Sequence, residues 1–109
     1  MLAVWEPILP MDWGPPSGST LARLPDRRVR QFWDPSHVIA SALGNFANQR
    51  PEQPHPQCCL QKGFHWDEAI LYAPHVHWKD APAAVFWNGP VVRVLPGFEA
   101  ALKEQLGAD

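Results

Sequence analysis

The chain has 109 residues, a 46% hydrophobic share, an 18% charged share and a net charge of −2. A chain of this length fits one domain, which buries nearly two-thirds of its unfolded surface and so can form a core without staples. The low charge gives no electrostatic case for nucleic acid or an acidic membrane as partner, although Arg23, Arg27, Arg28 and Arg30 lie close in sequence. No apolar run approaches the ~20 residues of a bilayer span, and Met1 to Pro7 lacks the basic start of a signal peptide. The default location is the cytoplasm.

In chain order, residues 2–9 read as a buried strand carrying Leu2, Val4, Trp5, Ile8 and Leu9. Pro7 and Pro10 limit it, because proline cannot donate to a ladder. Residues 10–20 form a Gly/Pro-rich loop, 20–28 hold at most a helical turn, and 29–33 make a short edge segment. Asp34-Pro35 is a helix start, with Asp as N-cap and Pro at the first helical position. Val38, Ile39, Ala42 and Leu43 then share one face, and Gly44 is placed to close the helix.

Residues 45–63 are long, polar and Pro-rich, and they carry Cys58 and Cys59. A loop of that length in a small domain points to function or mobility. Residues 66–73 and 83–87 read as strands. The connection at 74–82 holds His75, His77 and Trp78, and Asn88-Gly89-Pro90 is a turn signal. Residues 91–95 continue the strand or form a further one. Residues 96–106 are the last helix, opened by Pro96 and Gly97 and supported by the Glu99–Lys103 pair. The expected result is one α/β domain over residues 1–109, in the order β-α-β-β-α. Its small mixed sheet places residues 2–9 parallel to 66–73, and 83–87 antiparallel to them.

This order resembles the C-terminal part of a thioredoxin-like domain. The phrases Val4-Trp5-Glu6-Pro7-Ile8-Leu9, Arg30-Gln31-Phe32-Trp33-Asp34-Pro35 and Ala84-Val85-Phe86-Trp87-Asn88-Gly89 are similar to those of a group of bacterial thioredoxin-like proteins. The resemblance implies that the family's first strand and helix, with their Cys-x-x-Cys, would lie ahead of Met1. The chain has no Cys-x-x-Cys, and Gly63-Phe64-His65-Trp66 lacks the proline that thioredoxins place there. No catalytic residue transfers from the family. An incomplete sheet would expose Leu2, Val4, Ile8 and Leu9 at an open edge, inviting a protein partner or self-association. The alternative is that residues 20–33 fold back to cover the gap.

The chemistry-bearing feature is Cys58-Cys59. Adjacent Cα atoms lie ~3.8 Å apart, whereas an ordinary disulfide spans ~4.4–6.8 Å. A bond between neighbours is therefore strained and easily reduced. Three readings stay open: incidental loop thiols, a redox pair, or a soft-metal clasp joined by His55 and His65. His75 and His77 would share a face if extended, but two loop histidines are ordinarily just solvated. Asp67 and Glu68 would point to opposite faces of a strand and make a poor acid–base couple. Trp66, Trp78 and Trp87 fit packing better than a pocket. No cofactor fingerprint is present. The leading functional expectation is a thioredoxin-like protein with thiol–disulfide activity at Cys58 and Cys59; the other is a non-catalytic binding module.

Overall fold

The computed structural model describes residues 1–8, 14–54, 56, 59–60, 63–77 and 82–107. The element order is β1 (Leu2–Trp5), α1 (Gly18–Leu21), β2 (Arg30–Trp33), α2 (Val38–Gln49), β3 (Ala69–Tyr72), β4 (Ala84–Asn88) and α3 (Val91–Gly107). This is a mixed α/β chain. It contains the expected strand-helix-strand-strand-helix order, with α1 and β2 inserted after the first strand. It divides into two compact units, Met1–Ala40 and Ser41–Asp109.

In the first unit, β1 pairs with β2 in parallel, from Leu2↔Arg30 to Trp5↔Trp33. This corrects the sequence reading, which put the first strand beside residues 66–73. The reason is chain length: residues 6–29 are long enough to return the chain for a parallel ladder, which needs a dozen or more. Of the fold-back alternative for residues 20–33, the structure shows the pairing of residues 30–33 with the first strand. The strand is also shorter than the expected 2–9: it stops at Trp5, ahead of Pro7, and Leu9 lies outside the described residues. Within the crossover, Ser17 caps α1 by accepting the Thr20 N–H at 3.3 Å.

Side chains alternate across this ladder. Ala3, Trp5, Gln31 and Trp33 are half-buried, while Leu2, Val4, Arg30 and Phe32 are exposed. The Arg30 guanidinium lies 5.9 Å from the Phe32 ring centre, and Arg28 pairs with Asp26 at 2.7 Å. That pair holds the exposed Asp26 carboxyl down at about 2, chiefly through its hydrogen bond with Arg28.

Asp34 does cap a helix, but from farther away than expected. Its two carboxylate oxygens accept the Val38 and Ile39 N–H groups, each at 2.9 Å. Pro35 sits in the intervening turn rather than at the first helical position. The helix also runs through Gly44 instead of ending there. A Cβ on Gly44 would stand 3.6 Å from the His65 ring, so this glycine brings the helix backbone against the imidazole.

In the second unit, the end of α2 is satisfied by Gln53. Its Nε2 donates to the Phe46 carbonyl in the last turn of the helix at 3.4 Å. Its Oε1 accepts the buried Ala84 N–H at 2.8 Å, tying the helix end to β4. The β3–β4 hairpin is antiparallel, as expected, running from Ala69↔Asn88 to Tyr72↔Ala84 with an irregularity at Leu71/Tyr72. The core is small: Ala47, Ala84 and Trp87, with Leu43, Ile70 and Tyr72 packed around them.

Residues 91–95 are helical, which corrects the expectation of a strand there, and Pro96 and Gly97 lie inside α3 rather than opening it. The helix begins early because its first donors have acceptors. Val91 N–H reaches Asp67 Oδ1 at 3.3 Å, and the Pro90 carbonyl takes Arg93 and Val94 N–H at 3.0 and 3.2 Å. Half-buried Val94, Phe98, Ala101 and Gln105 recur at helical spacing. Phe98 meets Phe86 edge-on at 5.6 Å, and a Cβ on Gly97 would stand 3.4 Å from the Phe86 ring. Pro96 deprives the Val92 carbonyl of its partner four residues on; Val92 is 82% exposed, so solvent can serve that carbonyl. None of the helices is long and apolar enough to cross a membrane, among the described residues.

Pro96 is the least helix-compatible residue of α3. Replacing it with Ala should restore the lost hydrogen bond and raise stability, by up to about 3 kcal/mol. Denaturant unfolding of P96A checks this; a midpoint equal to or below the parent's would contradict it.

Candidate functional site

The second unit carries a buried polar centre around Glu68. β4 turns Trp87 inward, and only 2% of that residue is exposed. Glu68 directly precedes β3, whose Ile70 pairs with Trp87 across the ladder. The Glu68 carboxylate accepts the Trp87 indole N–H at 2.7 Å and His65 Nδ1 at 2.9 and 3.0 Å. With Glu68 ionised, its carboxylate can only accept, and His65 Nδ1 then carries the hydrogen. The His65 ring also packs on Trp87, with centres 5.2 Å apart. Nearby in the core, burial pushes the Tyr72 phenol up.

A second set of contacts centres on Asp67. This residue is exposed and left-handed, with φ of 53°, and its carboxylate holds the first N–H of α3. Its carbonyl oxygen lies 4.0 Å from Cys59 Sγ. Cys59 is 5% exposed, adopts a φ of 74° and is half of a disulfide. A disulfide sulfur has no hydrogen to donate, so in this state the approach to Asp67 is a contact rather than a hydrogen bond.

Among the expected site residues, Cys58 and His55 lie outside the described residues. His65 is described, and its Nδ1 is engaged by Glu68. No group of three or more His, Cys, Asp or Glu suited to a metal occurs among the described residues. His75 and His77 are exposed, and Trp78 lies outside the described residues. Trp66 holds a buried indole N–H with no acceptor among the described residues. Asp67 and Glu68 do part company, one capping a helix and the other facing the core.

Glu68 was missed as a centre in its own right. The signal was available: an acid directly before an apolar strand, three residues from a histidine, with a tryptophan in the facing strand. Compared with known proteins, the chain matches no family model, no curated protein and no solved structure.

Replacing Trp87 with Phe should keep the ring in the core and remove the donor to Glu68. The expected loss is about 1–3 kcal/mol, since a buried acceptor is left short of a partner. Thermal unfolding of W87F reads it out; a melting temperature within a degree of the parent would show that the carboxylate does not need this bond.

Proposed function

We propose that this chain is a thioredoxin-like module that exchanges disulfides through Cys58 and Cys59. One observation carries the reading: Cys59 is half of a disulfide. The left-handed backbone at Cys59 supports it further, because strain of this kind gathers at working sites. The element order supports the thioredoxin-like part of the reading. A cytoplasmic setting, where thiol reductants are abundant, suits a couple that must be re-reduced.

In the reductive direction, a thiolate of a partner dithiol attacks one sulfur of the pair. The other sulfur leaves as a thiolate and takes a proton. The partner's second thiol then displaces the mixed disulfide, leaving two thiols on this chain and a disulfide on the partner. Two electrons and two protons have passed to Cys58 and Cys59. Reduction also gives Cys59 a hydrogen, so its contact with the Asp67 carbonyl becomes a weak S–H···O bond beside the start of α3.

The test is a redox titration of the native chain in glutathione or dithiothreitol buffers, read by thiol labelling. The expected midpoint is more oxidising than about −300 mV, the region below which structural disulfides lie. A pair that stays oxidised in native buffer at that potential would overturn the reading. A partner surface is part of the same proposal. Leu2, which is 67% exposed, with Val4 and Phe32, leaves an apolar face on the β1/β2 sheet that supports self-association. Light scattering should then show mass rising with concentration; a constant monomer mass would count against it.

A further inference from the structure

The first unit holds a hollow of about 250 Å³ lined by Trp5, Glu6, Gly14, Pro16, Thr20 and Trp33. We propose that it is a binding site for an organic cation of the trimethylammonium class. This goes beyond the redox reading, shares no residue with it and does not depend on it.

The argument starts from register. Trp5 and Trp33 are direct partners in the β1/β2 ladder, so both indoles stand on the same half-buried face. Two aromatic rings side by side offer the electron-rich surface that attracts a cation, most strongly when the cation is weakly hydrated, as a quaternary ammonium is. Glu6 follows Trp5 and brings a carboxylate to the same wall, where it meets His37 Nδ1 at 3.1 Å. The described lining contains no lysine or arginine that would repel a cation.

The wall is also held in place before any ligand arrives. The Trp5 indole N–H donates to Gln31 Oε1 at 2.8 Å. Gln31 is fixed in turn, because its Nε2 donates to the Leu21 carbonyl at 2.9 Å. A rotor tied down in this way loses little freedom on binding, which favours affinity. The size agrees with a small guest. The hollow falls below the ~300–1,000 Å³ of drug-sized pockets, so it suits a head group rather than a whole large molecule.

The experiment uses the intact chain and tetramethylammonium as probe, followed by the indole N–H resonances of its tryptophans. Saturable shifts confined to the Trp5 and Trp33 signals are expected. Choline should bind at least about fivefold more tightly than 3,3-dimethylbutanol, its neutral isostere, because only the charged head gains from the rings and Glu6. Choline and a peptide bearing trimethyllysine are compared to tell a free amine from a modified side chain; binding of either supports the site. Glu6→Gln should weaken binding several-fold while leaving the remaining indole signals in place, which shows that the variant still folds. Equal binding of choline and dimethylbutanol would overturn the proposal, since the hollow would then recognise only apolar shape. Absence of any shift at millimolar probe would overturn it as well.

Discussion

The Glu68 carboxylate takes two buried donors at once, the Trp87 indole N–H at 2.7 Å and the His65 Nδ1–H at 2.9 Å. In a richer core such a group would be a liability, since a buried carboxylate is costly unless its lone pairs are met. Here the core is poor: no large side chain is completely buried among the described residues, and the central cluster is two alanines and one tryptophan. Trp87 supplies most of the apolar bulk, yet leaving its indole N–H without an acceptor would carry a desolvation cost. Glu68 meets that need, and through His65 it also brings in the helix face at Gly44. One acid therefore joins β4, the start of β3 and α2. Bonds to charged groups are worth roughly 1.5–3 kcal/mol each, comparable with the burial of a whole aliphatic side chain.

A similar device recurs at both ends of α2 and at the start of α3. Asp34 carries the two leading N–H groups of α2, Asp67 carries the first of α3, and Gln53 joins the last turn of α2 to β4. Each substitutes a long reach from outside the element for a local cap. That pattern follows from composition. Thirteen prolines break the chain into short pieces, and short helices and four-residue strands have proportionally more orphaned backbone groups. Side-chain caps are how those groups are met without lengthening the elements.

Much of this was legible along the chain. The hairpin of β3 and β4 could be read from two apolar runs and a turn, and the helix after Asp34 from its cap and its apolar spacing. The failures share a cause, which is that partners distant in sequence decided the outcome. Residues 91–95 look like a strand because three valines occur in four positions, but Asp67 and Pro90 provide the acceptors that let a helix start there. Gly44 looks like a stop until His65 is seen packing against it. The parallel ladder could have been suspected from one repeated phrase: Trp5-Glu6-Pro7 and Trp33-Asp34-Pro35 each place an acid and a proline after a tryptophan. In the ladder these phrases lie side by side, and the Asp34 N–H reaches the Trp5 carbonyl at 2.7 Å.

Backbone strain marks the same places. Among the described residues, four other than glycine adopt left-handed conformations: His37, Cys59, Asp67 and His75. A histidine or aspartate tolerates that region better than most residues, whereas a cysteine has no such preference. A position of this kind costs roughly 1–3 kcal/mol and persists only where surrounding bonds hold it. His37 is held by Glu6, Asp67 by the α3 N–H, and Cys59 by its disulfide. The first pairs with Glu6, which lines the aromatic hollow, and the other two touch each other at 4.0 Å. Of these, only Cys59 is held by a covalent bond between side chains. By the same account the strain at Cys59 depends on its disulfide, and loss of that bond would let the backbone there relax. Asp67 also accepts the first N–H of α3, so its contact with Cys59 ties the strained cysteine to the start of this helix.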